Sequence, residues 1–182
     1  MSELYRMRPP EYVEGLMHLI EHINTISDTN KMQMIEIGAY AGESTEIFCN
    51  HFKFVVTIDP YIDGYDESDE ACKHASMDNV LKAFQERMIN YDNVALIRAT
   101  SDDAIEHGLI VNKKVDFVYI DGLHTYEQMK KDIQNYLPLI KKGGFIGGHD
   151  YHPVWQGVVD AIEEVLGRPD KITRDTSWVV KL

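Results

Sequence analysis

Residues that carry chemistry recur at five places in this sequence, each directly after a short run of apolar residues. They are Gly38–Gly42, Asp59, Thr100–Asp102, Asp121–His124 and His149–Tyr151. Glycines let a backbone approach a ligand closely, carboxylates accept hydrogen bonds or hold cations, and imidazoles exchange protons near neutral pH. If one edge of a sheet carries all five segments, the sequence encodes a binding and catalytic site.

The elements that must position these segments alternate between strands and helices. Strands are predicted over residues 32–38, 52–59, 94–99, 115–121 and within 143–150, and helices over 43–51, 76–91, 102–107, 125–140 and 154–166. Such alternation favours right-handed crossovers and a parallel sheet, and the tail 171–182 adds two short strands with a turn at Asp175-Thr176. The predicted fold is α/β, a Rossmann-like three-layer sandwich whose mostly parallel seven-stranded sheet has an antiparallel C-terminal edge strand. Ligands of such sheets bind beyond the carboxyl ends of the strands.

The turn at Gly38–Gly42 leads into a helix whose free N–H groups favour an anion. A dinucleotide pyrophosphate would require glycines in the pattern G-x-G-x-x-G, but Tyr40 stands where the second glycine would be. The smaller carboxylate of an amino-acid moiety fits this turn better, and a tight strand–helix turn without any ligand remains the alternative.

Asp59 ends the second strand, about 20 residues beyond the glycine turn, where an acidic residue commonly binds ribose hydroxyls. Alone it is equally a turn aspartate before Pro60, but together with the glycine turn it indicates a nucleoside-bearing ligand. Ser101 and Asp102 follow the third strand, and they either hold the adenine edge or N-cap the next short helix.

Four stretches together resemble the class I S-adenosylmethionine-dependent methyltransferases, in particular the group of macrocin-type and related sugar O-methyltransferases. They are EIGAYAGEST at 36–45, TIDPY at 57–61, DFVYIDGLHTYEQMKKDI at 116–133 and LPLIKKGGFIGGHDY at 137–151. The resemblance implies S-adenosylmethionine as cofactor. The expected cofactor-binding residues are Glu36, Gly38, Ala39, Tyr40, Gly42, Ser44, Thr45, Asp59, Ser101, Asp102 and Asp121. Tyr40 departs from the broader class, which has a glycine there.

The reacting centre is expected where the fourth and fifth strands end. The resemblance implies a metal held by acids after these strands, so Asp121, His149 and Asp150 form the predicted metal site. Carboxylates suit Mg²⁺, whereas the softer imidazole favours Mn²⁺. The alternative is that these acids order loops without a metal. His124 and Asp121 are the predicted catalytic residues, with His124 as base or substrate anchor and a plain loop histidine as its alternative.

Composition limits the partners of the protein. The net charge of -12 repels phosphate backbones, so nucleic acid is not expected as a substrate. No apolar run is long enough for a membrane span, and two isolated cysteines agree with a cytoplasmic protein.

Residues 1–182 are expected to form one class I methyltransferase domain with a helical N-terminal cap over residues 1–30. The amphipathic helix of that cap suits a homodimer contact, and the acidic stretch 61–77 suits a lid.

The predicted function is methyl transfer to a hydroxyl of a small molecule, such as a sugar or glycan. Two other functions stay open at this stage. One is a nicotinamide-dependent Rossmann oxidoreductase, which binds NAD(P). The other is a nucleoside-binding module without catalysis.

Overall fold

A computed structural model describes residues 8–66, 76–110 and 114–182 of the chain. The strands are β1 (Gln33–Ile37), β2 (Phe54–Ile58), β3 (Val94–Ile97), β4 (Val115–Ile120), β5 (Ile140–Gly148), β6 (Lys171–Ile172) and β7 (Trp178–Lys181). The α-helices are α1 (Pro10–Asn24), α2 (Glu43–His51), α3 (Met77–Met88), α4 (Ser101–Glu106), α5 (Tyr126–Tyr136) and α6 (Gln156–Leu166). Short 3₁₀ turns cover Thr29–Lys31, Leu137–Leu139 and Pro153–Trp155.

The sheet has the strand order β3-β2-β1-β4-β5-β7-β6. The first five strands in this order are parallel, and β7 pairs antiparallel with both β5 and β6. This arrangement confirms the predicted Rossmann-like sheet with antiparallel strands at one edge. The closing hairpin places β7 inside the sheet, so that β6 is the outermost strand. The strand order reverses between β1 and β4, which is the position where such sheets bind ligands.

The sheet is buried on both faces, which makes the molecule a three-layer sandwich. Along β4, Phe117 and Tyr119 pack in the apolar cluster beneath α1, α2 and α3, and Val118 and Ile120 pack in the cluster beneath α5 and α6. Successive side chains of a strand point to opposite faces, so both faces of β4 require apolar residues. This explains why the central strands read as continuous apolar runs.

The predicted helix over 125–140 ends earlier than expected. The structure ends α5 at Tyr136, continues with the 3₁₀ turn Leu137–Leu139, and starts β5 at Ile140. Pro138 lies in that turn, and proline lacks a backbone N–H and disfavours helical geometry in the residue before it. Within the described residues, no helix combines the length and the apolar character that crossing a bilayer requires.

Helix α1 approaches the hairpin between β6 and β7 very closely at Gly15. A Cβ atom placed there would lie 2.3 Å from Oδ1 of Asp175. Asp175 is wholly buried, and its carboxylate accepts hydrogen bonds from the hydroxyls of Thr173 (2.6 Å) and Ser177 (2.7 Å). The carboxylate is therefore held in place, and only a glycine lets α1 pack at this distance.

We expect Gly15→Ala to destabilise the protein. Alanine improves helix propensity by about 1 kcal/mol, but forcing a methyl group into a closely packed site costs about 1–3 kcal/mol. The free energy of unfolding, measured with urea, should fall by up to about 2 kcal/mol. Glu21→Ala on the exposed face of α1 is the control and should change it little. A Gly15→Ala variant more stable than the wild type would contradict the tight contact.

Candidate active site

A two-lobed cleft lies over the carboxyl ends of the parallel strands. The first lobe encloses about 700 Å³, open solvent at its mouth included, and the second encloses about 880 Å³. Asp59 and Ser101 line the first lobe, whereas His149 and Asp150 line the second. The lobes share four residues, which are Gly38, Tyr40, Asp121 and His124. The cleft thus brings residues from all five predicted strand ends together.

The turn after β1 requires glycine at Gly38. Its φ is +87°, and a Cβ atom there would lie 1.9 Å from the carbonyl oxygen of Asp121. Gly42 has a φ of +82° and precedes α2, where a Cβ atom would meet the ring of Phe84 at 2.9 Å. Gly38 therefore lets the turn approach the end of β4, and it lines both lobes. Gly42 instead packs against α3, outside the set of residues that line the two lobes.

Asp59 holds this turn in shape. Its Oδ2 accepts hydrogen bonds from the backbone N–H groups of Ala39 (3.0 Å) and Tyr40 (2.9 Å), and its Oδ1 accepts one from Tyr61 (2.9 Å). Tyr40 adopts a φ of +45°, which is uncommon for a residue with a side chain, and the Tyr61 hydroxyl donates to its carbonyl at 2.9 Å. Burial raises the pKa of Asp59, while these backbone bonds oppose the rise. The carboxylate thus lies against the glycine turn and still lines the first lobe.

Glu36 supports the same turn from the interior of the protein. It is fully buried, and its two carboxylate oxygens accept hydrogen bonds from the hydroxyls of Ser44 (2.5 Å) and Thr45 (2.6 Å) in the first turn of α2. Of these three residues, Ser44 lines the second lobe, whereas Glu36 and Thr45 lie beneath the surface of the cleft. Ala39 also lines the second lobe. Glu36 and Thr45 therefore act on the turn from inside the protein.

We expect the ionisation of Glu36 to destabilise the fold as the pH rises. Burial raises the pKa of Glu36 from 4.5 to about 7, so between these values the folded protein binds the proton more tightly than the unfolded chain. Stability from this residue is therefore highest below about pH 4.5 and falls as the pH approaches 7. In Glu36→Gln, which does not ionise, this decline should disappear.

The measurement is the free energy of unfolding of wild type and variant as a function of pH. Relative to the wild type, Glu36→Gln should gain about 2–3 kcal/mol between pH 4.5 and 7.5. Glu86→Gln, at an exposed position of α3, is the matched control and should follow the wild type. Parallel curves for wild type and Glu36→Gln would show that the buried carboxyl does not titrate as described.

The segment after β3 places Ser101 and Asp102 differently. Ser101 is buried and lines the first lobe, whereas Asp102 pairs with Lys131 on α5 at 2.7 Å and lies outside the residues that line either lobe. The N-cap of α4 is Thr100, whose hydroxyl accepts from the N–H of Asp103 at 3.0 Å. Neither residue is therefore the cap, and only Ser101 is in a position to contact a ligand.

An acid–imidazole cluster lies where the two lobes meet. Nε2 of His124 is 2.8 Å from Oδ2 of Asp150 and 3.9 Å from Oδ1 of Asp121, and its Nδ1 is 3.1 Å from Oδ2 of Asp66. Nδ1 of His149 is 3.2 Å from Oδ1 of Asp150. Asp150 adopts a φ of +62°, which directs it back into the cluster. Asp121, His124, His149 and Asp150, all predicted from the sequence, are thus brought together.

The charges of this cluster balance one another. Burial alone would lower the pKa of His124, but the carboxylates of Asp121, Asp150 and Asp66 raise it to about 12. Burial likewise opposes ionisation of Asp150, and the two imidazoles outweigh it and lower the pKa of that carboxyl. At neutral pH, His124 is therefore a cation whose two ring nitrogens both face carboxylates. The ring also stacks on Trp155, with centroids 4.7 Å apart.

Arg8 joins the cluster from the segment ahead of α1, and no sequence pattern indicates its position there. Its Nη2 lies 2.6 Å from Oδ2 of Asp121, and its backbone N–H donates to Glu43 at 2.9 Å. Asp66 was included only as part of the acidic stretch 61–77, of which residues 67–75 lie outside the described parts of the chain. No periodicity or spacing marks either contact, because both join segments far apart in sequence.

The strand order of the sheet and the family that the sequence matches together define a Rossmann-like methyltransferase. The chain belongs to the methyltransferase-domain family, whose sequence model matches residues 35–151, more than half of its length. This family implies S-adenosylmethionine as the methyl donor, which sets the nicotinamide-dependent alternative aside.

Individual relatives are distant. The chain is 25% identical over 138 residues to the uncharacterized protein R132 of Acanthamoeba polyphaga mimivirus. The aligned region covers 74% of this chain and 58% of that protein. The chain therefore spans little more than half the length of this curated relative.

Solved structures share the fold at low sequence identity. The calicheamicin methyltransferase CalS11 has a TM-score of 0.68 at 13% identity, over 95% of this chain and 80% of that one. The O-methyltransferase NovP has a TM-score of 0.65 at 14% identity, over 94% and 79%. A putative caffeoyl-CoA O-methyltransferase from Staphylococcus aureus has a TM-score of 0.61 at 20% identity, over 91% of this chain and 81% of that one.

Proposed function

We propose that this protein transfers the methyl group of S-adenosylmethionine to a hydroxyl of a small molecule, with a sugar or glycan as the acceptor. The observation that carries the proposal is the position of Asp121 and His124 at the junction of the two lobes. A nucleoside in the first lobe would present its sulfonium methyl at this junction, facing an acceptor in the second lobe.

The first lobe suits the nucleoside. Asp59 lines it beside the glycine turn, where its carboxylate oxygens can accept further hydrogen bonds from ribose hydroxyls. The amino-acid end of the cofactor would pass over Gly38 toward Ser44 and the start of α2, where free N–H groups and the helix dipole favour a carboxylate. Asp59, Gly38 and Ser44 are three of the residues that the sequence assigns to the cofactor, whereas Glu36, Gly42, Thr45 and Asp102 of the same set do not line either lobe.

The second lobe suits a hydroxyl acceptor. Methyl transfer is an in-line displacement in which the sulfonium becomes a neutral thioether, so the enzyme aligns the nucleophile and removes its proton. Oδ1 of Asp121 and Nε2 of His124 are 3.9 Å apart, too far for a direct hydrogen bond. An acceptor hydroxyl between them would donate to Asp121 and accept from the N–H at Nε2 of His124, which it would share with Asp150. The cationic state of His124 favours the role of anchor over that of base.

A divalent cation fits the same cluster. Ligand atoms of Asp121, His124 and Asp150 all lie within 4.8 Å of one another. The cation would displace the proton from Nε2 of His124, because only a deprotonated imidazole nitrogen ligates a metal. The cation would lower the pKa of a bound hydroxyl, which Asp121 alone deprotonates poorly because its own pKa is lowered. The set differs from the sequence-based one in that His124 takes the place of His149. Two carboxylates and an imidazole suit Mn²⁺ better than Mg²⁺.

The sugar acceptor rests on two further points. CalS11 is described as a TDP-rhamnose 3'-O-methyltransferase, and it shares the fold of this chain. The net charge of -12 disfavours polyanionic acceptors such as nucleic acids.

The first test is cofactor binding, measured by isothermal titration calorimetry with S-adenosylhomocysteine. We expect the wild type to bind it and Asp59→Asn to bind it about 10–100-fold more weakly, because hydrogen bonds to a charged group are lost. Asp92→Asn, at an exposed position before β3, is the control and should bind like the wild type. Absence of binding by the wild type would refute the proposed function.

The second test is cation binding, measured by calorimetric titration with MnCl₂. Losing only an outer partner of a metal ligand lowers affinity about 10–100-fold, so Asp150→Asn should lose at least that much. Asparagine tolerates the left-handed backbone of this position, and the variant should still bind S-adenosylhomocysteine. Asp78→Asn, whose side chain is 77% exposed, should bind Mn²⁺ unchanged. Equal Mn²⁺ affinities in all three proteins would rule out this cation site.

A further inference from the structure

Two polar side chains one turn apart on α5 meet at the wall of the first lobe. Gln128 and Asp132 both line this lobe together with Ser101. Nε2 of Gln128 donates to Oδ1 of Asp132 at 3.0 Å and to the hydroxyl of Ser101 at 3.2 Å. The lobe that is proposed to hold the nucleoside therefore has an ordered amide in its wall.

The chemistry of Asp132 fixes which way this amide faces. An ionised carboxylate only accepts hydrogen bonds, so it must face the NH₂ group of Gln128 and not its carbonyl oxygen. Burial raises the pKa of Asp132 to about 6, which leaves it an anion at neutral pH. Oε1 of Gln128 consequently points away from Asp132, and it makes no hydrogen bond to any residue in the described parts of the chain.

The scaffold around the pair leaves little freedom for another arrangement. Asp132 is only 1% exposed, and the hydroxyl of Tyr136 donates to the carbonyl of Ser101 at 2.8 Å. Ser101 and α5 are therefore tied together on both sides of the amide. A side chain with its donor end held by two acceptors presents a fixed hydrogen-bond acceptor to whatever occupies the lobe.

We propose that Gln128 reads the exocyclic amine of the adenine through Oε1, and that Asp132 is the positioning residue that prevents its amide from flipping. This assignment rests on the proposed function, because it requires the nucleoside to bind in the first lobe. A 6-amino group donates to Oε1, whereas the 6-oxo group of hypoxanthine would place an acceptor against an acceptor. A site built this way rejects the 6-oxo nucleoside.

The chain contains a matched pair for comparison. Gln156 and Asp160 stand at the same spacing on α6, where Nε2 of Gln156 donates to Oδ1 of Asp160 at 2.7 Å. Both residues are exposed and remote from the first lobe. Substitutions in this pair thus reproduce the local change on a helix without touching the nucleoside.

The experiment compares the affinities of S-adenosylhomocysteine and S-inosylhomocysteine by isothermal titration calorimetry at pH 7.5. We expect the wild type and Asp160→Asn to prefer the adenosyl compound by about 10-fold or more, the factor that corresponds to about 1.4 kcal/mol. In Asp132→Asn, the amide at 132 can donate to Oε1 and let Gln128 flip, so affinity for the inosyl compound should rise and the ratio should approach one. Gln128→Ala, at a half-buried position, should also lower the ratio, by weakening adenosyl binding.

The outcomes separate the two claims. If the wild type binds S-adenosylhomocysteine but Gln128→Ala and Asp132→Asn keep its preference, the reading of adenine by Gln128 is wrong and the proposed function stands. If the wild type binds neither compound, the proposed function itself fails and the assignment falls with it. Thermal unfolding of both variants shows whether they are folded, and Gln128→Ala decides the question if Asp132→Asn is not.

Discussion

The hydrogen bonds that Asp59 accepts from three backbone N–H groups hold the candidate site together. They join the end of β2 to the turn after β1 and keep Tyr40 at a positive φ. Without them, the turn would lose the geometry that brings Gly38 against the end of β4. A carboxylate with three backbone donors is also largely prevented from rotating, so it faces the first lobe before any ligand arrives. The turn is therefore preorganised, and binding need not order it.

The cluster at the lobe junction follows from that close approach. Because Gly38 lets the turn after β1 pack against the carbonyl of Asp121, the acids after β4 and β5 line the same lobe as this turn. Carboxylates so placed need counter-charges, and His124, His149 and Arg8 supply them from three separate segments. A cation or an acceptor that enters this cluster would replace ion pairs that the carboxylates already make with His124, His149 and Arg8. This favours ligands whose charged or polar atoms match the spacing of the carboxylates.

The sequence allowed the sheet and most of the strand-end residues to be predicted, since apolar runs followed by glycine or acid are local patterns. Asp59, Asp121, His124, His149 and Asp150 lie where the pattern placed them. Arg8 and the Gln128–Asp132 pair were not found, because their roles depend on how α1 and α5 pack and not on spacing within a strand. Asp102 follows β3 as expected, but it does not line the cleft. Thr100 is the N-cap of α4, and the side chain of Asp102 pairs with Lys131. Tertiary packing decides which of several neighbouring polar residues faces the cleft.

The stacking of His124 on Trp155 gives this protein an optical property of its own. The chain has two tryptophans, and the other, Trp178, is fully buried in the core. A protonated imidazole in contact with an indole ring accepts an electron from the excited indole and thereby quenches the indole fluorescence. The emission intensity of Trp155 therefore depends on the charge of His124, so a change at the acid–imidazole cluster can be followed by fluorescence without any attached dye.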